Sequence, residues 1–461
     1  MNEDITIKGL WWLPDKPEKQ LVGEITYGPT SGAQLNLLDY FFKEARGDQF
    51  TVWGMTVSGR PVSLFNCHAK NLTMHLPGAR VAEISSYLGI VEGHFKAPDQ
   101  MKFAKVTAEL SHLQEWAWTS GINVAPRESG KGWQVTQEML PDISLGSQGD
   151  FQLALEFTGR LSPEYGDCKL SEKCVLKVET KTLIDYLSFE EIIRRFQHFV
   201  ALAVSRPVYA LSINTRIDKP KRIFQGRSIY EEFGIIRKVS LSDDVKKTLI
   251  PQDMQFCLGD LKPEPSEFVK RFFDKHQLLE PVCDLYFSTL YNREMYVQQR
   301  FLALAHAIEA YHRAFVGGKY QSDDEYRKGL QKILWDAIPK NLGADFRASL
   351  KNKLKYLHEF SLRKRVQDIC AKFASVLKPF LGEATEFAGA VADQRNLLTH
   401  PDSTAEGRPK ATDWTEVWLK SEQLSLLLEV CLLHELGFNE KAISTLLPRN
   451  RRTRAIQLNK K

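Results

Sequence analysis

Hydrophobic positions recur along this chain with two different periods, and the change falls near residue 262. Before it, short runs rich in β-branched and aromatic residues, at 5–12, 21–27, 34–38 and 50–57, are separated by Gly, Pro and Ser clusters. That punctuation predicts strands. Ser58-Gly59 joins the fourth run to another reaching Leu64, which predicts a hairpin. Further strands are predicted at 103–110, 151–157, 175–180 and 208–213. Between the last two, Ile192, Ile193, Phe196, Phe199 and Val200 take up the helical period over 188–205. Frequent short strands with one helix among them predict a sandwich or barrel-like β domain.

Beyond Lys262-Pro263-Glu264-Pro265-Ser266, whose two prolines can continue neither a helix nor a strand ladder, the pattern reads helical. Helices are predicted at 268–279, at 285–315 with Gly317-Gly318 as a stop, and at 323–338, 344–360, 363–377 and 383–399. Asp413 and Glu416, at capping-box spacing, open a last one ending at Gly437. The fold class expected is therefore α+β and multidomain: a β-rich region over 1–262, an all-α bundle over 267–447, and a basic tail over 448–461. That tail carries Arg449, Arg451, Arg452, Arg454, Lys460 and Lys461 without an acid to balance them. Such tails stay disordered as a rule.

Composition narrows the class only a little. At 461 residues the chain has room for two or three domains, and 43% hydrophobic with 26% charged residues is ordinary for a globular protein. A net charge of +5 permits nucleic-acid binding without announcing it. Seven cysteines without repeated spacing predict a reduced, cytoplasmic protein. The one close pair, Cys168 and Cys174, lacks the second pair a zinc site would need. An acidic N-terminus does not read as a signal peptide. The most apolar run, 424–436, is interrupted by Ser425, Glu429 and His434 and reads as a buried helix, so no membrane association is expected. Neither Gly130-Lys131 nor Gly318-Lys319 is followed by the Ser or Thr of a phosphate-binding loop.

The candidate chemistry sits in Arg395-Asn396-Leu397-Leu398-Thr399-His400-Pro401. A permanent, forked cation suits phosphate oxygens, and imidazole suits proton transfer near neutral pH. In an unbroken helix Arg395 and His400 would point about 140° apart. Pro401, however, disfavours helix at the residue before it, so His400 can swing toward the Arg395 face. Arg300 and His306 have a similar spacing but lie within an apolar helical run. Glu309, on the same run, could face the heptapeptide across a bundle and orient Arg395 or His400. Two basic clusters, Arg347, Lys351, Lys353, Lys355 and then Arg363, Lys364, Arg365, read as solvated helix faces. The same cations could track an RNA backbone, with Lys351, Lys355 and Arg363 the candidates. Trp11, Trp12, Trp116 and Trp118 read as core and rim, though exposed ones could stack on bases or sugars.

Arg395, Asn396 and His400 give the helical region, from about Leu285 to Gly437, a pattern that resembles the HEPN superfamily. Gly9-Leu10-Trp11-Trp12, Val22-Gly23-Glu24-Ile25 and residues 110–116 resemble the β-rich N-terminal domain of ApeA-type abortive-infection proteins. The resemblance implies an endoribonuclease needing neither metal nor cofactor, active as a homodimer whose paired motifs form one composite cleft. By it, His400 is the general acid or base for ribose 2′-hydroxyl attack. Arg395 stabilises the pentavalent phosphate, and Asn396 holds the phosphate or orients the imidazole. Products would be 2′,3′-cyclic phosphate and 5′-hydroxyl ends of cellular RNA, transfer RNA being one candidate target. The N-terminal region would sense a phage-derived trigger or restrain the nuclease. Two alternatives stand beside this: a noncatalytic HEPN module that binds nucleotide or RNA and is coupled to a β-rich partner-recognition domain, and a carbohydrate- or peptide-binding β domain with a helical dimerisation unit.

Overall fold

The computed structural model describes residues 4–41, 49–127, 130–224, 227–292, 294–399 and 413–459. It divides into two compact units, Met1–Phe273 and Asp274–Lys461. In the first, β1 (Ile5–Leu13), β2 (Lys16–Gly28), β3 (Gly32–Leu38), β4 (Phe50–Thr56), β5 (Pro61–Met74) and β6 (Arg80–Ser86) close an antiparallel barrel in the order β4-β1-β2-β3-β6-β5. Alternation makes this possible. Leu21, Gly23 and Ile25 of β2 and Ala33, Leu35 and Leu37 of β3 are buried on the inward face, and the residues alternating with them are more exposed. Trp11 fills the centre, fully buried, directly opposite Gly54 of β4. A Cβ on Gly54 would collide with the indole ring, so the glycine leaves the space the ring occupies.

The remaining strands are β7 (Leu88–Val91), β8 (Lys102–Leu110), β9 (Ile122–Pro126), β10 (Trp133–Gln137), β11 (Ile143–Gln148), β12 (Phe151–Glu164), β13 (Asp167–Asp185), β14 (Ala210–Phe224) and β15 (Arg227–Arg237). Long β5 links barrel to open sheet, because its first half pairs with β7 and its second half with β6. From β7 the sheet runs on through β15, β14, β8, β13 and β12 to β11, while β9 and β10 form a separate hairpin. Two helices lie between strands: the short α1 (Leu113–Ala117) and the much longer α2 (Tyr186–Val204). Asp185 caps α2, accepting from the Ser188 N–H at 3.0 Å and its hydroxyl at 2.8 Å. The helix therefore starts two residues before the position its hydrophobic period suggested. Phe196 and Phe199 meet Trp116 edge-on. Burial of such a side chain is worth about 1.5–3 kcal/mol. Trp11, Trp12 and Trp116 are thus core, and Trp118 is exposed.

α3 (Pro265–Asp274) closes the first unit. The second contains α4 (His276–Tyr291), α5 (Val297–Phe315), α6 (Asp323–Lys328), α7 (Leu330–Asp336), α8 (Ala344–Leu354), α9 (Leu362–Lys372), α10 (Ala374–Leu381), α11 (Ala384–Thr399), α12 (Trp414–Leu436), α13 (Glu440–Arg449) and α14 (Arg451–Leu458). Around α5 pack α4, α9, α11 and α12. Asp413 caps α12, accepting from the Thr415 and Glu416 N–H groups, and Gly437 ends it at φ 105°. No helix among the described residues is long and apolar enough to cross a membrane.

Several predicted helices prove to be pairs. Lys275 separates α3 from α4, Gly329 (φ −103°, ψ −101°) separates α6 from α7, and Phe373 (ψ 30°) separates α9 from α10. The run expected over 285–315 is interrupted after Tyr291, and that over 344–360 stops at Leu354. A hydrophobic period continues across such breaks when both pieces pack on the same core. The basic tail also departs from expectation, since α13 and α14 follow Gly437. Arg452 of α14 reaches inward to Glu429, with its Nη1 3.7 Å from Glu422. Buried carboxylates supply the acid that the local sequence lacks.

Candidate active site

Arg395 and Asn396 occupy the last turn of α11, a helix that packs on α9 and α5. The Thr399 hydroxyl donates to the Arg395 carbonyl at 2.9 Å and lies 3.4 Å from that of Asn396, so two carbonyls at the helix end gain a partner. Arg395 Nη1 lies 3.4 Å from Asn396 Oδ1. Together they border a cleft of about 410 Å³ whose other walls include Glu309 of α5, Ser361, and Arg363 of α9. That volume falls in the range of small-ligand pockets. Three helices therefore bring together Arg395, Asn396, Glu309 and Arg363, which stand far apart in the chain.

The charges in this cleft are not equivalent. Arg363 donates to Asp393 Oδ1 at 2.9 Å across the gap between α9 and α11. Arg395 has no carboxylate within ion-pair distance among the described residues, and neither does Glu309 have a cation there. A half-buried guanidinium without a counter-ion retains its fork of donors for an incoming anion. Ser361 caps α9 by accepting from the Lys364 N–H at 3.3 Å, and the positive end of that helix faces the same space. His400 and Pro401 lie outside the described residues.

On the same helix as Arg363, Arg365 overturns the expectation of a solvated cation. It is 1% exposed and donates to the carbonyls of Phe360 at 3.0 Å, Gly317 at 3.0 Å and Gly318 at 3.3 Å. Its Nη1 also lies 3.1 Å from His312 Nδ1, which is itself 3.2 Å from the Gly317 carbonyl oxygen, while His312 Nε2 lies 3.4 Å from Asp368 Oδ2. Burial, reinforced by the charge of Arg365, outweighs the contacts with Gly317 and Asp368 and lowers the His312 pKa. The glycine turn after α5 is thereby tied to the start of α9. At Gly318, φ 128° and the closeness of Arg365 both demand a residue without a side chain.

A family model for ApeA N-terminal domain 1 matches residues 6–264, more than half of the chain, and one for Apea-like HEPN matches residues 302–442. The chain belongs to the ApeA family. It is an ApeA-type defence protein with a C-terminal HEPN domain. No curated protein and no solved structure matches it. In this ApeA chain the HEPN match spans α9 and α11 and covers every wall of the cleft named above.

Other candidates lie elsewhere. Lys351 Nζ sits 5.5 Å from the Trp335 ring centroid and Lys355 Nζ 5.3 Å from that of Tyr356, and neither residue lines the cleft. Arg300, the competing arginine, is bound to the buried carboxylate of Glu422, while His306 is exposed. Asp393 and Ser361 escaped the sequence reading. Asp393 stands two residues before Arg395, a separation at which helical side chains do not face each other; its partner is 30 residues away on another helix.

Proposed function

We propose that this ApeA-type protein is a metal-independent endoribonuclease that limits phage growth by cleaving cellular RNA in the infected cell. The observation that carries the reading is Arg395, free of any described carboxylate, beside Asn396 and Glu309 in an open cleft. Its guanidinium would hold the scissile phosphate and neutralise charge as phosphorus becomes pentavalent. His400, in the residue after α11, would exchange protons with the ribose 2′-hydroxyl and the leaving oxygen. Asn396 would steady the phosphate or the imidazole, and Glu309 would orient one of the two functional groups. Attack by the 2′-oxygen on phosphorus breaks the bond to the 5′-oxygen, leaving a 2′,3′-cyclic phosphate and a 5′-hydroxyl. A HEPN homodimer would place two such sites together, and the N-terminal unit would answer a phage-derived trigger.

Incubating purified protein with RNA in EDTA and mapping the product ends tests the chemistry. The wild type should cut, and His400→Ala should not. Arg395→Lys should lose about a hundredfold or more, because a point charge replaces a planar fork. If His400→Ala cuts at the wild-type rate, the assignment fails. Intact RNA that is nevertheless bound by the wild type would favour the noncatalytic module instead.

A further inference from the structure

The segment from Arg327 to Leu357 holds eight basic and two acidic residues, a net charge of +6, whereas the whole chain carries only +5. Most of the chain's other cations near the HEPN core are matched. Arg363 meets Asp393, Lys364 meets Asp368, Arg452 meets Glu429, and Lys275 meets Glu435. By contrast, Lys332, Lys340, Arg347, Lys351, Lys353 and Lys355 have no carboxylate within ion-pair distance among the described residues.

Apolar residues on the same segment are equally unmatched. α8 buries none of its residues, and Trp335, Phe346 and Tyr356 are all exposed. They are interleaved with the cations. Lys351 lies over Trp335 and Lys355 over Tyr356. Arg347, Lys351 and Lys355 recur every fourth residue, a row that advances about 6 Å per step along a helical path. The centre of a protein–protein interface is depleted in lysine. A surface that alternates lysine with exposed rings instead matches a polyanion with flat, unpaired bases, whose phosphates take the cations while its bases stack.

We infer that α7, α8 and the residues through Tyr356 form a binding platform for single-stranded RNA, outside the cleft. The platform deepens the proposed function: it would capture a strand and favour unpaired over duplex substrate. Stacking is the discriminating interaction, because paired bases do not offer their faces.

The test measures binding of a labelled 20-nucleotide single-stranded RNA, and of the matched duplex, to the full chain across a salt series. All proteins carry Arg395→Ala so that the RNA stays intact. Trp335→Ala, Phe346→Ala and Tyr356→Ala should each weaken single-strand binding about tenfold, while Trp335→Phe should restore most of the affinity. Arg347→Gln, Lys351→Gln and Lys355→Gln combined should lower the slope of log affinity against log salt by roughly 2. Unchanged melting temperatures would show that these exposed substitutions leave the fold intact. Single-strand affinity and salt slope that remain at the starting values in every variant would overturn the platform, as would equal weakening of duplex binding by the aromatic substitutions. Cleavage by the unsubstituted chain is measured separately. Absence of cleavage with platform-dependent binding would sink the nuclease reading alone, and cleavage without platform-dependent binding would sink this inference alone.

Discussion

Replacing Arg452 by alanine should destabilise the HEPN unit severely, although the residue lies nine positions from the end of the chain in a run that looks dispensable. Its Nη2 contacts Glu429, which is fully buried, and its Nη1 lies 3.3 Å from Ser425 Oγ. Glu429 also accepts from Tyr286 Oη at 2.7 Å. Burial works against the charge on Arg452, but Glu429 and Glu422 outweigh it and hold the guanidinium pKa above its ordinary value. Removing the cation strands a carboxylate that water cannot reach, a defect that costs about 3–5 kcal/mol. For a unit of this size each kcal/mol lowers the melting temperature by about 2–4 °C, so a fall of roughly 6–20 °C is expected. Thermal unfolding followed by circular dichroism would read it. Arg454→Ala, an exposed neighbour on the same short helix, should change stability by no more than about 0.5 kcal/mol. Arg452→Met keeps the stem, loses the charge and should be nearly as harmful, and adding Glu429→Gln should restore part of the loss. If Arg452→Ala melts within about 1 °C of the wild type, the buried ion pair does not hold this helix and the reasoning fails.

Three further outcomes are expected. His112 is 4% exposed, and burial, aided by Arg206, depresses its pKa from 6.5 to about 4. The unfolded chain therefore binds this proton first, and the contribution present above pH 6.5 is lost as pH falls toward 4, a change of about 3 kcal/mol. Melts of His112→Asn should show a correspondingly flatter acid limb; an identical limb would refute the assignment. Gly54→Ala should cost about 1–3 kcal/mol by pushing Trp11 from its place in the barrel, whereas Gly234→Ala, which meets nothing within 4 Å, should be nearly silent in the same melts. Asp393→Asn should leave stability almost unchanged, because the pair with Arg363 is exposed. It should tighten RNA binding several-fold by freeing a second cation in the cleft; weaker binding would count against a phosphate site there.

What could be read from the sequence follows the range of the forces involved. The first five barrel strands were legible because inward and outward positions alternate, whereas β6 was not predicted, and α12 was legible because its middle is a nearly continuous apolar run. The outer halves of β12 and β13 were not. Their residues are polar and largely exposed, and backbone pairing across the Tyr165-Gly166 turn rather than side-chain burial extends the ribbon. β15 was missed for a related reason: Glu231, Glu232 and Gly234 interrupt its hydrophobic signal, yet β14 and β7 supply hydrogen-bond partners on both sides.

The cleft shows the same division. Arg395 and Asn396 stand together in one local motif, so spacing exposed them, while the meeting of Glu309, Arg363 and Asp393 depends on how three helices pack. Charge was least legible of all. Arg452 sits in a run without acids and Arg365 in a run of three cations, and both are held by groups remote in sequence. The cations from Lys332 to Lys355 differ physically because they have no described counter-ion, and only tertiary structure separates them from Arg365 and Arg452. An isolated basic run is therefore ambiguous until the buried acids are located. Once they are, the cations left over mark where a polyanion can bind.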